Sequence, residues 1–342
     1  MQSNKFRALA AAVVAALGLA GCGGDGGGGA KPPPDNGGST NVLFIGTNDG
    51  LVAAFHASTV AGVSYAATFA DHAVVNNGVP DSVMLTAYDA ARDELYVRSS
   101  GVVVAGSMPE RVDVYAQASH MTAGATPAPS RSLTFPGVAG FFSMHYDRVN
   151  DTLWVTGELQ QDREPILWAF DHASTLSGNV THSRSVTPVD RLTPPLDVAI
   201  DNGRSLLYVL DDGTGEIDVF ADPAHVDADA VPVRTFISAG IGSALALDAT
   251  RDILYVGGYR IDFYMVRGAS TASGRPTTAV IQLAGAIEGP SVAVDAVHDR
   301  LYVGDGWSLF QVDDASTLTD GTALDTTKRL VTDQASMSFA FP

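Results

Sequence analysis

The chain has 342 residues, 46% hydrophobic and 17% charged, enough apolar material to bury a large core and too much for a disordered polymer. Its single cysteine, Cys22, excludes an intrachain disulfide framework and a cysteine-based zinc site. With 38 acidic against 20 basic residues the formal charge is −18, which argues against a surface built to neutralise nucleic-acid phosphates.

At the start of the chain Lys5 and Arg7 precede an apolar stretch over 8–19, and Leu19-Ala20-Gly21 stands immediately before Cys22. A charged region, a short apolar region and small residues at a cleavage point are the order of a secretory signal. The apolar run is shorter than the roughly 20 residues of a spanning helix. Leu19-Ala20-Gly21-Cys22 resembles the lipobox of bacterial lipoproteins at all four places. That resemblance implies removal of 1–21 and a lipid thioether on Cys22, which anchors the chain in the cell envelope. A thiolate is the nucleophile that such alkylation needs; the other reading of a lone cysteine is simple packing. Gly23, rather than Asp, after the cysteine implies the outer membrane, facing the periplasm or the exterior. Without 1–21 the chain keeps 18 basic and 38 acidic residues, a charge of −20. From 22 to 40 the composition is Gly- and Pro-rich with no apolar residue to anchor a core, the makeup of a tether.

From 41 onward the chain repeats itself. Five segments align without gaps: YDAARDELYV at 88–97, YDRVNDTLWV at 146–155, IDNGRSLLYV at 200–209, LDATRDILYV at 247–256 and VDAVHDRLYV at 294–303. Each reads as a turn between two strands: small and bulky residues alternate before the aspartate, and β-branched and aromatic residues follow it. A sixth copy is split. Residues 41–45 supply its second strand, with Phe44 in the place of Tyr302, and 338–342 matches 291–295 position by position. Pairing of the two ends predicts a closed array.

Third strands are expected at 51–55, 111–115, 166–170, 216–220, 261–264 and 308–312, and fourth strands at segments such as 231–237 and 278–283. Between them a loop recurs as Ala57-Ser58-Thr59, Ala173-Ser174-Thr175 and Ala315-Ser316-Thr317, with looser copies at Ala118-Ser119-His120 and Ala269-Ser270-Thr271. Four antiparallel strands repeated six times predict an all-β, six-bladed β-propeller of four-stranded blades over 41–342, with the aromatic of each second strand packed between blades. The motif resembles the six-bladed propellers of NHL and YVTN type. Propellers host hydrolases, lyases, scaffolds and binding modules alike, so the likeness carries architecture and not activity.

Asp89, Asp147, Asp201, Asp248 and Asp295 recur in every copy, which favours turn caps over ligands of one axial site. Asp93, Asp151, Asp252 and Asp299 read as turn residues too. Departures from the repeat are more informative. Two residues before the aspartate stand Ala87, His145, Ala199, Ala246, Ala293 and Ala340; four before stand Leu85, Ser143, Asp197, Ala244, Ser291 and Ser338. His145 and Asp197 are the only titratable members of their rows. His145 is a candidate ligand or base, or a space-filling side chain beside Phe142. The connections at the opposite end from the aspartate turns are acid-rich, with Glu110, Glu158, Asp162, Glu164, Asp211, Asp212, Glu216, Asp305 and Asp333 among them, beside Tyr259 and Trp307. These acids form either a ligand-attracting mouth or a solvated surface.

Two functions follow as expectations. The first is a membrane-anchored lipoprotein whose propeller binds a protein or glycan through the acidic loop face, without cofactor and without nucleic acid. The second is a hydrolase resembling metal-dependent lactonase propellers, with a Ca²⁺-type ion at the channel mouth. Asp197, Glu158, Asp333 and His145 are its analogues by location alone, and Trp307 and Tyr259 complete the candidate site. No nucleophile elbow, zinc-protease motif, calcium loop or phosphate loop occurs in the sequence.

Overall fold

The computed structural model describes residues 42–47, 51–56, 67–70, 82–100, 109–122, 125–186, 194–212, 215–240, 242–258, 262–283, 291–304, 308–324, 329–331 and 336–340. The lipobox, Cys22 and the 22–40 segment lie outside them. The described chain is a β-propeller of small antiparallel sheets.

The first strands, β1 (Val42–Thr47), β2 (Leu51–His56) and β3 (Ala67–Ala70), share a sheet whose remaining strand comes from the far end of the chain. A blade follows from β4 (Ser82–Asp89), β5 (Glu94–Ser100), β6 (Glu110–Ala116) and β7 (Arg131–Phe135). The next has β8 (Val138–Asp147), β9 (Thr152–Leu159), β10 (Pro165–Asp171) and, after the short β11 (Gly178–Asn179), which pairs in parallel with β7 of the preceding blade, the outer strand β12 (Arg184–Val186). Another is β13 (Pro195–Asp201), β14 (Leu206–Asp211), β15 (Glu216–Ala221) and β16 (Arg234–Ile237). Then come β17 (Gly242–Asp248), β18 (Ile253–Gly258), β19 (Asp262–Arg267) and β20 (Thr278–Leu283). The last blade is β21 (Ser291–Asp295), β22 (Arg300–Gly304), β23 (Ser308–Asp313) and β25 (Arg329–Val331), with the short β24 (Ala323–Leu324) paired in parallel with β20 of the preceding blade, and β26 (Ser336–Ala340) follows.

Five blades are thus built from strands that follow one another along the chain, where the repeat predicts six. The split copy is the physical reason: its strands come from both ends, in the order β26-β1-β2-β3. β26 pairs antiparallel with β1, Phe44 opposite Ala340, with a register shift between Gly46 and Thr47. A second correction concerns the fourth strand expected at 231–237. It begins only at Arg234, because Pro232 has no N–H for a ladder, and Val231 and Val233 stand exposed.

In four blades the aromatic of the second strand is buried against the next blade. Tyr96 stacks on Tyr146 at 5.3 Å, Trp154 packs with Val198 and Leu207, Tyr208 with Leu245 and Leu254, and Tyr255 with Val292 and Leu301. Where the aromatic is a tyrosine, its cross-strand partner on the innermost strand is Ala87, Ala199, Ala246 or Ala293, a methyl group that leaves the ring room. Burying such an aromatic is worth on the order of 2–3 kcal/mol, so this row supplies much of the cohesion between blades.

The aspartate turns are capped as the repeat predicts. Asp89 Oδ1 accepts the Ala91 and Arg92 amides, Asp147 those of Val149 and Asn150, Asp295 those of Val297 and His298, and Asp201 and Asp248 those of Arg204 and Arg251. The residue three positions on then reaches the next blade: Arg204 donates to Ala249 O and Arg251 to Ala296 O. In four of the turns a second acid has positive φ and locks the Ala-Ser loop. Asp93, Asp151, Asp252 and Asp299 accept both the amide and the hydroxyl of Ser119, Ser174, Ser270 and Ser316. The loop itself is a single 3₁₀ turn with its alanine buried.

Candidate functional site

The innermost strands surround a cavity of about 160 Å³ at the propeller centre. Four of them carry a register shift on its wall, between Val83 and Leu85, Phe141 and Ser143, Pro195 and Asp197, and Gly242 and Ala244. A bulge puts two residues opposite one and re-aims the side chains beside it. Consequently Leu85, Ser143, Asp197, Ala244 and Ser291, the described members of one repeat row, all reach the cavity, joined by the bulge residues Phe142, Leu196 and Ser243.

Among the described residues Asp197 is the only carboxylate on that wall, and both its oxygens are engaged. Oδ1 accepts the Ser143 hydroxyl and the Val198 amide at 2.8 Å; Oδ2 accepts the Leu245 amide at 2.7 Å. One side chain of β13 therefore ties together the inner strands of three successive blades, β8, β13 and β17. Burial pushes its carboxyl up to about 6, against the opposing pull of the Ser143, Leu245 and Val198 donors.

His145 reaches the same cavity from β8, half-buried, directly across the ladder from Trp154. Among the described residues nothing hydrogen-bonds its imidazole. Burial holds its pKa below the ordinary histidine value, with Asp147 pulling the other way, so the ring is neutral at pH 7. Trp154 in turn lies under the Arg184 guanidinium at 5.2 Å. This blade fills with a histidine and a tryptophan the space that its neighbours fill with alanine and tyrosine.

The structure thus brings His145 and Asp197 together and separates Glu158 from them. Glu158 stands near the end of β9, opposite Pro165, ion-paired with Arg163 and off the cavity wall. Asp333, Trp307 and Tyr259 lie outside the described residues. Among the described residues no group of three or more His, Cys, Asp or Glu side chains is placed to hold a metal ion. Two further features escaped sequence reasoning: the bulges that recruit Phe142 and Ser243, and a near-buried bidentate pair in which Arg98 donates twice to Glu110 at 2.8 Å. A one-residue bulge leaves no periodicity to read, and Arg98 and Glu110 belong to different strands.

The loop face is less acidic than its residue count implies. Glu110 and Glu158 are neutralised by Arg98 and Arg163, Asp211 is buried, and Asp162, Glu164 and Asp212 remain exposed. Among the described residues no helix is long and apolar enough to cross a membrane. No protein-family model matches the chain, and no curated protein matches its sequence; the structure shows a β-propeller, and the NHL and YVTN likeness expected from the repeat motif has no further support.

Proposed function

We propose that the protein is a lipoprotein, anchored in the cell envelope through lipid on Cys22, whose propeller is a binding or scaffolding module for protein or glycan partners met through the loop face. The composite sheet β26-β1-β2-β3 serves in this reading as a sixth blade that closes the ring. The observation that carries the module reading is the state of Asp197. A carboxylate whose two oxygens accept a hydroxyl and two amides is committed to holding strands in place and keeps only one of its about four lone-pair sites for any other partner. The exposed Asp162, Glu164 and Asp212 support a partner with complementary positive charge.

Two measurements on the soluble chain, Cys22→Ser, test it. Partner capture from envelope extracts should be lost on reversing Asp162, Glu164 and Asp212 to lysine. Melting should be indifferent to Ca²⁺ and to chelator; since a ligand at one hundred times its Kd stabilises by about 2.7 kcal/mol, a calcium-dependent rise of that size would replace this reading by the metal-dependent hydrolase.

A further inference from the structure

The position at which the chain enters the propeller has a consequence for its orientation. In β22 the first residue after the aspartate turn is Arg300, paired with Asp313, and Tyr302 stands opposite Ala293. In β1 the equivalent pairs are Val42 with His56 and Phe44 with Ala340. Val42 therefore occupies the place of Arg300, at the end of the propeller that carries the aspartate turns. The segment bearing Cys22 joins the domain on this turn face, opposite the loop face. Nineteen residues, 23–41, separate Cys22 from Val42. A chain of that length spans at most about 70 Å.

The same face carries the exposed apolar side chains. Of the five large hydrophobics exposed among the described residues, Phe142 faces the cavity and the other four are Val149, Val231, Val233 and Val297. Val149 and Val297 occupy one repeat position, the tip of the turn two residues past Asp147 and Asp295, and are 65% and 82% exposed. Val231 and Val233 lead into the turn-face end of β16, where the Val233 amide donates to Val219 O. Of the carboxylates of this face, Asp89, Asp201 and Asp248 are buried and paired with Arg92, Arg204 and Arg251, whereas Asp222, Asp227 and Asp229 stand exposed in the loop before Val231. Arg148 stands exposed beside Val149, a cation placed where headgroup phosphates would meet it.

We propose that the turn face is a membrane-docking surface: it rests on the phospholipid bilayer, with Val149, Val297, Val231 and Val233 entering the interfacial layer, so that the cavity and the acidic loop face point away from the membrane. The proposal rests on lipidation at Cys22. Apolar contacts this small bind a bilayer weakly alone, and tethering supplies the local concentration that makes them count.

The test uses the full lipidated chain in phosphatidylcholine–phosphatidylglycerol vesicles. Its one native cysteine is consumed by lipid, so an introduced cysteine is the sole thiol. A fluorophore is placed at Val149→Cys, Val297→Cys and, on the loop face, Gln161→Cys, and is quenched by lipids spin-labelled near the headgroup. Docking predicts quenching at 149 and 297 about threefold above that at 161, because interfacial side chains lie within reach of the acyl boundary. Equal quenching at all three sites overturns the docking while leaving the anchor intact. Labelling of the unmutated chain by the thiol dye would show Cys22 free, which removes the anchor and the docking with it.

Discussion

Ser205 and Ala224 occupy, in one blade, the two positions that four other blades give to an aspartate and a serine. Elsewhere the carboxylate accepts both groups of the serine, as Asp252 does from the Ser270 amide at 2.8 Å and hydroxyl at 2.7 Å. In the exceptional blade both partners have changed together, while the backbone bond from Asp222 to Ser205 O persists at 2.9 Å. Either partner alone would leave a polar group short of its complement, which is why the loss is concerted.

Restoring the pair should therefore show coupling. Ser205→Asp with Ala224→Ser is expected to be more stable than the sum of the single changes by about 1 kcal/mol. Urea unfolding of the four proteins measures this; additive single effects would show that the lock is geometry without energy.

The turn charges give a second expectation. Asp248 is fully buried and accepts from Arg251, which also donates to Ala296 O of the next blade. Arg251→Met should cost about 1–3 kcal/mol, since a buried carboxylate loses its charged partner, whereas the exposed Arg148→Met should stay within about 0.5 kcal/mol. Equal effects in thermal melts would count against the latch.

Acidification should act on Asp197 in a direction of its own. Its folded pKa, about 6, lies above the ordinary carboxylate value, so the folded state holds a proton that the unfolded chain has already lost. Its contribution is full below about pH 4 and is lost as pH rises through 6. The Asp93, Asp151 and Asp171 carboxyls, held low by hydrogen bonds or ion pairs that outweigh their burial, work the other way, at lower pH. Subtracting an Asp197→Asn variant cancels them. The stability difference between native protein and variant should shift toward the variant by about 1–2 kcal/mol from pH 4.5 to pH 7; a difference flat across that range would be inconsistent with a carboxyl pushed up to about 6.

The architecture was legible because each blade repeats one physical solution. An aspartate that caps a turn, a bulky aromatic and a facing alanine recur at fixed spacing, and Asp89 with Tyr96 and Ala87 defines the unit as well as any other set. The Ala-Ser-Thr loop was visible as a pattern, but its cause was not: Ser119 and Asp93 are 26 residues apart and meet only after two strands have paired. The cavity was half legible. His145 and Asp197 stood out as exceptions within rows of alanine and small residues, whereas Ser143 became part of the site through a hydrogen bond between blades. Glu158 shared a face with them in the sequence pattern, and the ion pair with Arg163 turns it elsewhere.

His145 supplies the last expectation, opposite in sign to that of Asp197. Burial depresses its pKa, so the unfolded chain takes up a proton that the folded ring refuses, and stability falls as pH drops below about 6.5, the ordinary histidine value. His145→Gln removes that liability while still filling space opposite Trp154. The variant should lose less stability than the native protein between pH 6.5 and pH 5, and in the native protein the His145 ring proton resonances should titrate below 6.5. A ring that titrates at or above 6.5 would mean that the imidazolium finds a partner in the cavity, and the neutral, unbonded His145 described above would then be wrong.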